Sequence, residues 1–108
     1  MTQPNPVVVK ALQQALVDLT DLSLQAKQAH WNIAGSGFRA LHLHLDEIVD
    51  EVHLAADDVA ERMTAIQAIP DGRAATVAAD SQVEPIDGGV LPTDKATVMI
   101  QELSLIHI

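Results

Sequence analysis

Apolar residues recur along positions 7–33 with the period of a single helical face. Val8, Leu12, Leu16, Leu19 and Ala26 fall on one stripe, with Leu22 and Ser23 completing the turn between them. Asp18 and Asp21 fall towards the edge of that stripe or outside it. One more turn beyond Ala26 reaches His30, which is therefore expected on the inner side. Residues 1–6 are a short polar arm, and Pro6 suits the first turn of a helix, where its missing N–H costs nothing. Gly35-Ser36-Gly37 ends the segment. A glycine there accepts a left-handed cap, and Ser36 is a candidate N-cap for the next helix.

The second periodic segment runs from about Phe38 to about Ile69. Its stripe is Phe38, Leu41, Leu45, Ile48, Val52, Ala56, Val59, Met63 and Ile66, the most regular pattern in the chain. A three-residue connection makes the two helices antiparallel neighbours. Pro70-Asp71-Gly72 breaks the second helix, residues 73–80 suit a short helix, and Val83 to Pro92 reads as loop. Thr93-Asp94 resembles an N-cap, so a third long helix is expected from Lys95 to about Glu102. The class is all-α. Two long helices and the start of a third cannot close a core. Their apolar faces need a further pair of helices, from a C-terminal continuation or from a partner chain.

Residues 103–108, Leu-Ser-Leu-Ile-His-Ile, look foreign to this pattern. Their reverse translation permits CTG-TCT-CTT-ATA-CAC-ATC, which resembles a transposase adapter used in preparing DNA libraries. Residues 1–102 are accordingly expected to be the N-terminal part of a longer domain, and 103–108 a non-native tail in which His107 has no function.

Composition narrows the chemistry. Of 108 residues, 48% are apolar but only 2% aromatic, so the core is aliphatic, which favours packed helices. The net charge of −9 repels nucleic-acid phosphates and attracts cations. There is no cysteine, so any metal must be held by imidazole and carboxylate, which suits iron, manganese or zinc over copper(I). No apolar run reaches the roughly 20 residues of a membrane span. The first residues carry neither a basic nor an apolar signal region, so the cytoplasm is the default compartment.

Polar residues beside the second stripe supply candidate ligands. With about 100° per residue and His42 taken as zero, His53, Asp46, Asp57 and Glu61 lie near about 20°, 40°, 60° and 100°, one arc beside the apolar face. His42/Asp46 and Asp57/Glu61 are i,i+4 pairs, a spacing at which two side chains reach one ion. His30 and His42 each lie six residues from Ser36 and so face one another across an antiparallel hairpin. His30, His42 and Asp46 then form an N, N, O cluster. Asp46 and Asp57, however, are roughly 16 Å apart along a straight helix, far beyond metal–ligand reach. Both pairs meet one ion only if two chains pack about a two-fold axis, with His30, His42 and Asp46 of one facing Asp57 and Glu61 of the other. Such oxygen-rich ligation suits iron(II) and oxidant chemistry. The plainer alternative is a helical interaction or structural protein whose spaced acids are only a wet face. His44 falls on the opposite side and reads as surface. His53 and Trp31 are candidates for flanking the metal, Trp31 also for a packing anchor, and Glu47, Asp50, Glu51 and Asp58 for a solvated face that feeds cations inward.

These residues resemble a known family. Lys27-Gln28-Ala29-His30-Trp31-Asn32, Gly35-Ser36-Gly37-Phe38-Arg39-Ala40-Leu41-His42, Leu45-Asp46-Glu47 and Asp57-Asp58-Val59-Ala60-Glu61-Arg62 closely resemble the Dps family (DNA-binding proteins from starved cells), nearest its actinobacterial type. The likeness covers about residues 10–102 and meets the spacing His-x11-His-x3-Asp-x10-Asp-x3-Glu in full. It implies a ferritin-like four-helix bundle in a twelve-subunit shell. It also implies ferroxidase activity, in which iron, as Fe2+, is oxidised by hydrogen peroxide at an inter-subunit site. Fe3+ is then stored, and DNA is protected from oxidative damage. The metal ligands it implies are His30, His42, Asp46, Asp57 and Glu61. One departure is at the N-terminus, where residues 1–9 carry no Lys or Arg. That argues against electrostatic DNA binding through this arm, and with the charge of −9 against a DNA-compacting protein.

Overall fold

The computed structural model describes residues 3–106, with side-chain surroundings up to residue 101. Two long helices dominate it, α1 Pro6–Asn32 and α2 Phe38–Ala65. Asn5 caps α1 by accepting the Val7 N–H at 2.9 Å, and Pro6 occupies the first turn as expected. The connection is five residues, 33–37, and not three. Gly37, with φ 75°, stands at the N-cap of α2 without any side-chain cap bond, so Ser36 does not play the role expected of it. A left-handed glycine turns the chain there instead.

The second helix stops at Ala65, four residues short of the predicted Ile69. The stop is a Schellman motif built without glycine. Ala68 N–H bonds to Met63 O at 2.9 Å, Gln67 N–H to Thr64 O at 3.0 Å, and Gln67 takes the left-handed conformation at φ 68°. Ala68 then packs on the cluster that contains Met63, the apolar contact that accompanies this motif.

A short helix, α3 Ala74–Asp80, docks on α1 through buried Val77, as residues 73–80 predicted. The Gln13 side chain clamps Asp71 at both its carbonyl (2.8 Å) and its N–H (3.1 Å). Asp18 accepts Gln82 N–H at 3.0 Å, and Asp21 accepts the Ser81 hydroxyl at 2.6 Å. These two acids therefore anchor the crossover to α1. The segment 83–92 is loop except at its end, where β2 Leu91–Pro92 pairs in parallel with β1 Ile33–Ala34. The third long helix, α4 Thr93–Ile106, begins two residues earlier than Lys95. Of residues 103–108, the backbone as far as Ile106 is helical, while His107 lies outside the described residues.

The core follows the predicted stripes. Near the hairpin turn Leu22, Ala26, Ala29 and Ile33 meet Leu45, Ile48, Val49 and Val52, with Ala96 and Ile100 of α4 closing one side. Further along, Leu16, Ala56 and Met63 form a second cluster. Val8 and Phe38, expected in the stripes, are 46% and 51% exposed, each near the start of its helix. The molecule measures 57 × 22 × 18 Å, about two helix diameters in each short direction. Leu24, Leu43, Leu54 and Val98 remain exposed. No described helix is long and apolar enough to cross a membrane.

Candidate metal centre

The hairpin turn brings His30, at the end of α1, against His42, in the second turn of α2. Their rings stack with centroids 3.6 Å apart and planes 16° from parallel. His30 Nδ1 lies 2.5 Å from the His42 backbone carbonyl, and His42 Nδ1 lies 2.6 Å from the His30 carbonyl. A carbonyl oxygen only accepts, so both Nδ1 atoms carry hydrogen and donate. Each imidazole is thus oriented through Nδ1 by the other residue's backbone, which leaves Nε2 as the nitrogen that could meet a metal. That is the arrangement in which a metal-ligating histidine is oriented by a carbonyl on its far nitrogen. His30 is 9% exposed and His42 half-buried.

Asp46, one turn beyond His42, places Oδ1 3.9 Å from His30 Nε2. The same oxygen accepts from Lys27 Nζ at 2.6 Å. The Lys27 hydrogen bond is the main reason the Asp46 carboxyl lies below its ordinary range. Partial desolvation works against that shift, while the charge of Lys27 and weaker contributions from His30 and His42 add to it. Lys27 belongs to the motif that carries the resemblance, yet sequence reasoning gives it no role. Hairpin register could have found it. Lys27 faces Asp46 across the same turn that pairs His30 with His42, and it stands three residues before His30 on the same face.

The other half stands apart. Asp57 and Glu61 are exposed on the uninterrupted α2, roughly 16 and 22 Å further along the helix from Asp46. They make no hydrogen bond or ion pair among the described residues. His44 is exposed, as expected, and so is His53. Trp31 is 65% exposed and is no buried packing anchor; its ring lies 5.9 Å from Lys27 Nζ. Among the described residues, no three His, Asp or Glu side chains converge closely enough to enclose an ion. One chain therefore offers two imidazole nitrogens with a carboxylate beside them, and, separately, a carboxylate pair.

Residues 9–103 match the ferritin-like domain family. Over 83 residues the chain is 46% identical to DNA protection during starvation protein 2 of Deinococcus radiodurans, covering 77% of this chain and 34% of that one. It is 37% identical over 82 residues to the DNA protection during starvation protein of Halobacterium salinarum, covering 76% and 45% respectively. The chain thus spans less than half the length of these curated relatives. Among solved structures it superposes on Dps92 from Deinococcus radiodurans with a TM-score of 0.84 and 40% identity, covering 89% of this chain and 58% of that one. With residues 9–103 matched and the Dps helices reproduced, the chain belongs to the ferritin-like domain family as a homologue of the DNA protection during starvation proteins.

Proposed function

We propose that residues 1–102 are the N-terminal part of a Dps subunit that oxidises iron(II) with hydrogen peroxide at a site shared by two chains, stores the iron(III), and so protects DNA. The observation that carries this reading is the reciprocal bonding of His30 and His42. It orients both rings through Nδ1, with His30 Nε2 3.9 Å from Asp46 Oδ1, which supports a ligand role for them. The donor set of imidazole and carboxylate fits iron(II). In the reaction, two iron(II) ions each give one electron to one peroxide, whose O–O bond breaks to two hydroxides. The protein's part is to bind and orient the iron and to limit the escape of radicals.

The second chain completes the site with Asp57 and Glu61, in a homodimer that builds a dodecamer. Leu43 and Leu54 support this. They are 49% and 68% exposed, and they fall within about 20° of Glu61 around α2. Exposed leucines on the arc that holds the unpaired acids fit a surface that a second α2 covers. Residues 103–108 are proposed to be foreign to the subunit. The compartment proposed is the cytoplasm.

The test is a dioxygen-free titration of the full-length subunit with iron(II) and peroxide. Fast oxidation is expected in the natural protein and its loss in His30→Ala combined with Asp57→Ala. Equal rates in the two proteins defeat the reading.

A further inference from the structure

Aspartate followed by glycine occurs twice in the chain, at Asp71-Gly72 and Asp87-Gly88. Such a pair is chemically labile, because glycine has no side chain to shield its nitrogen and its backbone turns freely. The glycine nitrogen attacks the aspartate Cγ. A new N–Cγ bond closes a succinimide ring, while the amide proton and one carboxyl oxygen leave as hydroxide, which solvent protonates to water. Water then opens the ring at either carbonyl. One opening restores aspartate. The other leaves isoaspartate, whose main chain runs through Cγ and is longer by one methylene. No oxidation or reduction occurs, and water is the only co-reactant.

The fold treats the two pairs differently. Asp71 Oδ1 accepts the Arg73 N–H at 3.2 Å and Arg73 Nε at 3.0 Å, and its Oδ2 accepts Arg73 Nη2 at 2.9 Å and the Thr76 hydroxyl at 2.8 Å. Gln13 holds the Asp71 carbonyl and N–H as well. Its Cγ cannot swing towards Gly72 without breaking these bonds. The Arg73 hydrogen bond, foremost, also keeps the carboxylate ionised, and an ionised carboxylate is the poorer electrophile. Asp87 is exposed, in a stretch without regular secondary structure, and makes no hydrogen bond or ion pair among the described residues. Of Gly88, the carbonyl is held, by Gln28 Nε2 at 2.9 Å, while the N–H that reacts has no partner among the described residues.

We propose that Asp87-Gly88 is a site of spontaneous isoaspartate formation in the folded protein, and that Asp71-Gly72 is spared by the bonds around its carboxylate. The modification has a structural consequence. An added main-chain methylene at position 87 displaces the Gly88 carbonyl from Gln28, the side-chain bond that ties this part of the loop to α1.

The full-length subunit is incubated at neutral pH, both folded and in urea. Isoaspartate is then labelled with an isoaspartyl carboxyl methyltransferase and S-adenosylmethionine and located by peptide mapping. In the folded protein the label is expected at Asp87, with Asp71 at least about tenfold slower, because its reaction waits on a local opening that breaks several hydrogen bonds. In urea the two rates should converge. Gly88→Ala should suppress the label at Asp87, since a methyl group hinders the nitrogen. The fold accommodates that methyl, which would meet only Gln28 Nε2, at 3.9 Å. Absence of label at Asp87 in the folded protein overturns the proposal, as do equal rates at Asp71 and Asp87 in the folded protein. An undiminished label in Gly88→Ala overturns it too.

Discussion

His30 and His42 each donate Nδ1–H to the other's backbone carbonyl, so two candidate metal ligands are also the fastening of the hairpin turn. The His30 carbonyl belongs to the last turn of α1, whose carbonyls lack partners within the helix, and the His42 ring caps it. His42→Ala should therefore destabilise the protein by about 1–2 kcal/mol with no metal present, the worth of a hydrogen bond and a stacked ring. His30→Ala should cost more, because it also empties a buried position. In urea unfolding of the two single variants and the double variant, the double loss should be smaller than the sum. Strict additivity would mean the two rings do not act as a unit.

Gln67 holds a left-handed conformation that favours glycine. Gln67→Gly should stabilise the end of α2 by about 0.5–1 kcal/mol, the relief of that strain less the added freedom of the unfolded chain. Gln67→Val should do the opposite, since a β-branched residue is worse still at positive φ. Thermal midpoints of the two variants on either side of the natural protein would confirm the cap.

Gly35 combines a φ of 124° with close approach to α4. A Cβ there would meet Thr93 Oγ1 at 3.0 Å. Gly35→Ala should destabilise by more than about 1 kcal/mol through the φ constraint. It should also loosen the junction of β1 with α4. Amide exchange in the first turn of α4 is the measurement, and faster exchange there than in the middle of α2 is the expected outcome.

Asp71 is held well below its ordinary 3.8, first by the Arg73 side-chain hydrogen bond, then by Thr76 and the Arg73 N–H. A carboxyl whose folded-state pKa is depressed adds stability that is complete above its unfolded value and is lost as pH falls through the folded value. Stability should therefore be steady above 3.8 from this group and decline only below it. Asp71→Asn should flatten that acid limb. An equally steep decline in the variant would assign it to other carboxyls.

The helices and their inner faces were legible because apolar spacing is read the same way in sequence and in packing. Leu45, Val52 and Met63 are buried where the period placed them. The hairpin register was legible too, since a short glycine turn leaves little choice of partner for His30. Three features were not. The stop at Gln67 uses the backbone bonds of a glycine cap without the glycine, so no residue type announces it. The Ile33–Ala34 pairing with Leu91–Pro92 joins segments too distant in sequence for local pattern to link. The pairing of Lys27 is not legible because a lysine on a helix flank is ordinarily a solvated charge, and only the facing Asp46 gives it another meaning.

Each site is proposed to take its histidine half from one chain and its acid half from another, and co-assembly tests that division directly. One full-length subunit carries His30→Ala and His42→Ala, the other Asp57→Ala and Glu61→Gln. Each alone should be inactive in peroxide-driven iron(II) oxidation. A mixed two-fold dimer contains one intact site of two, and random pairing makes half the dimers mixed. Recovery of about a quarter of the natural rate is therefore expected. Assembly of mixed dimers with no recovery would contradict a shared site.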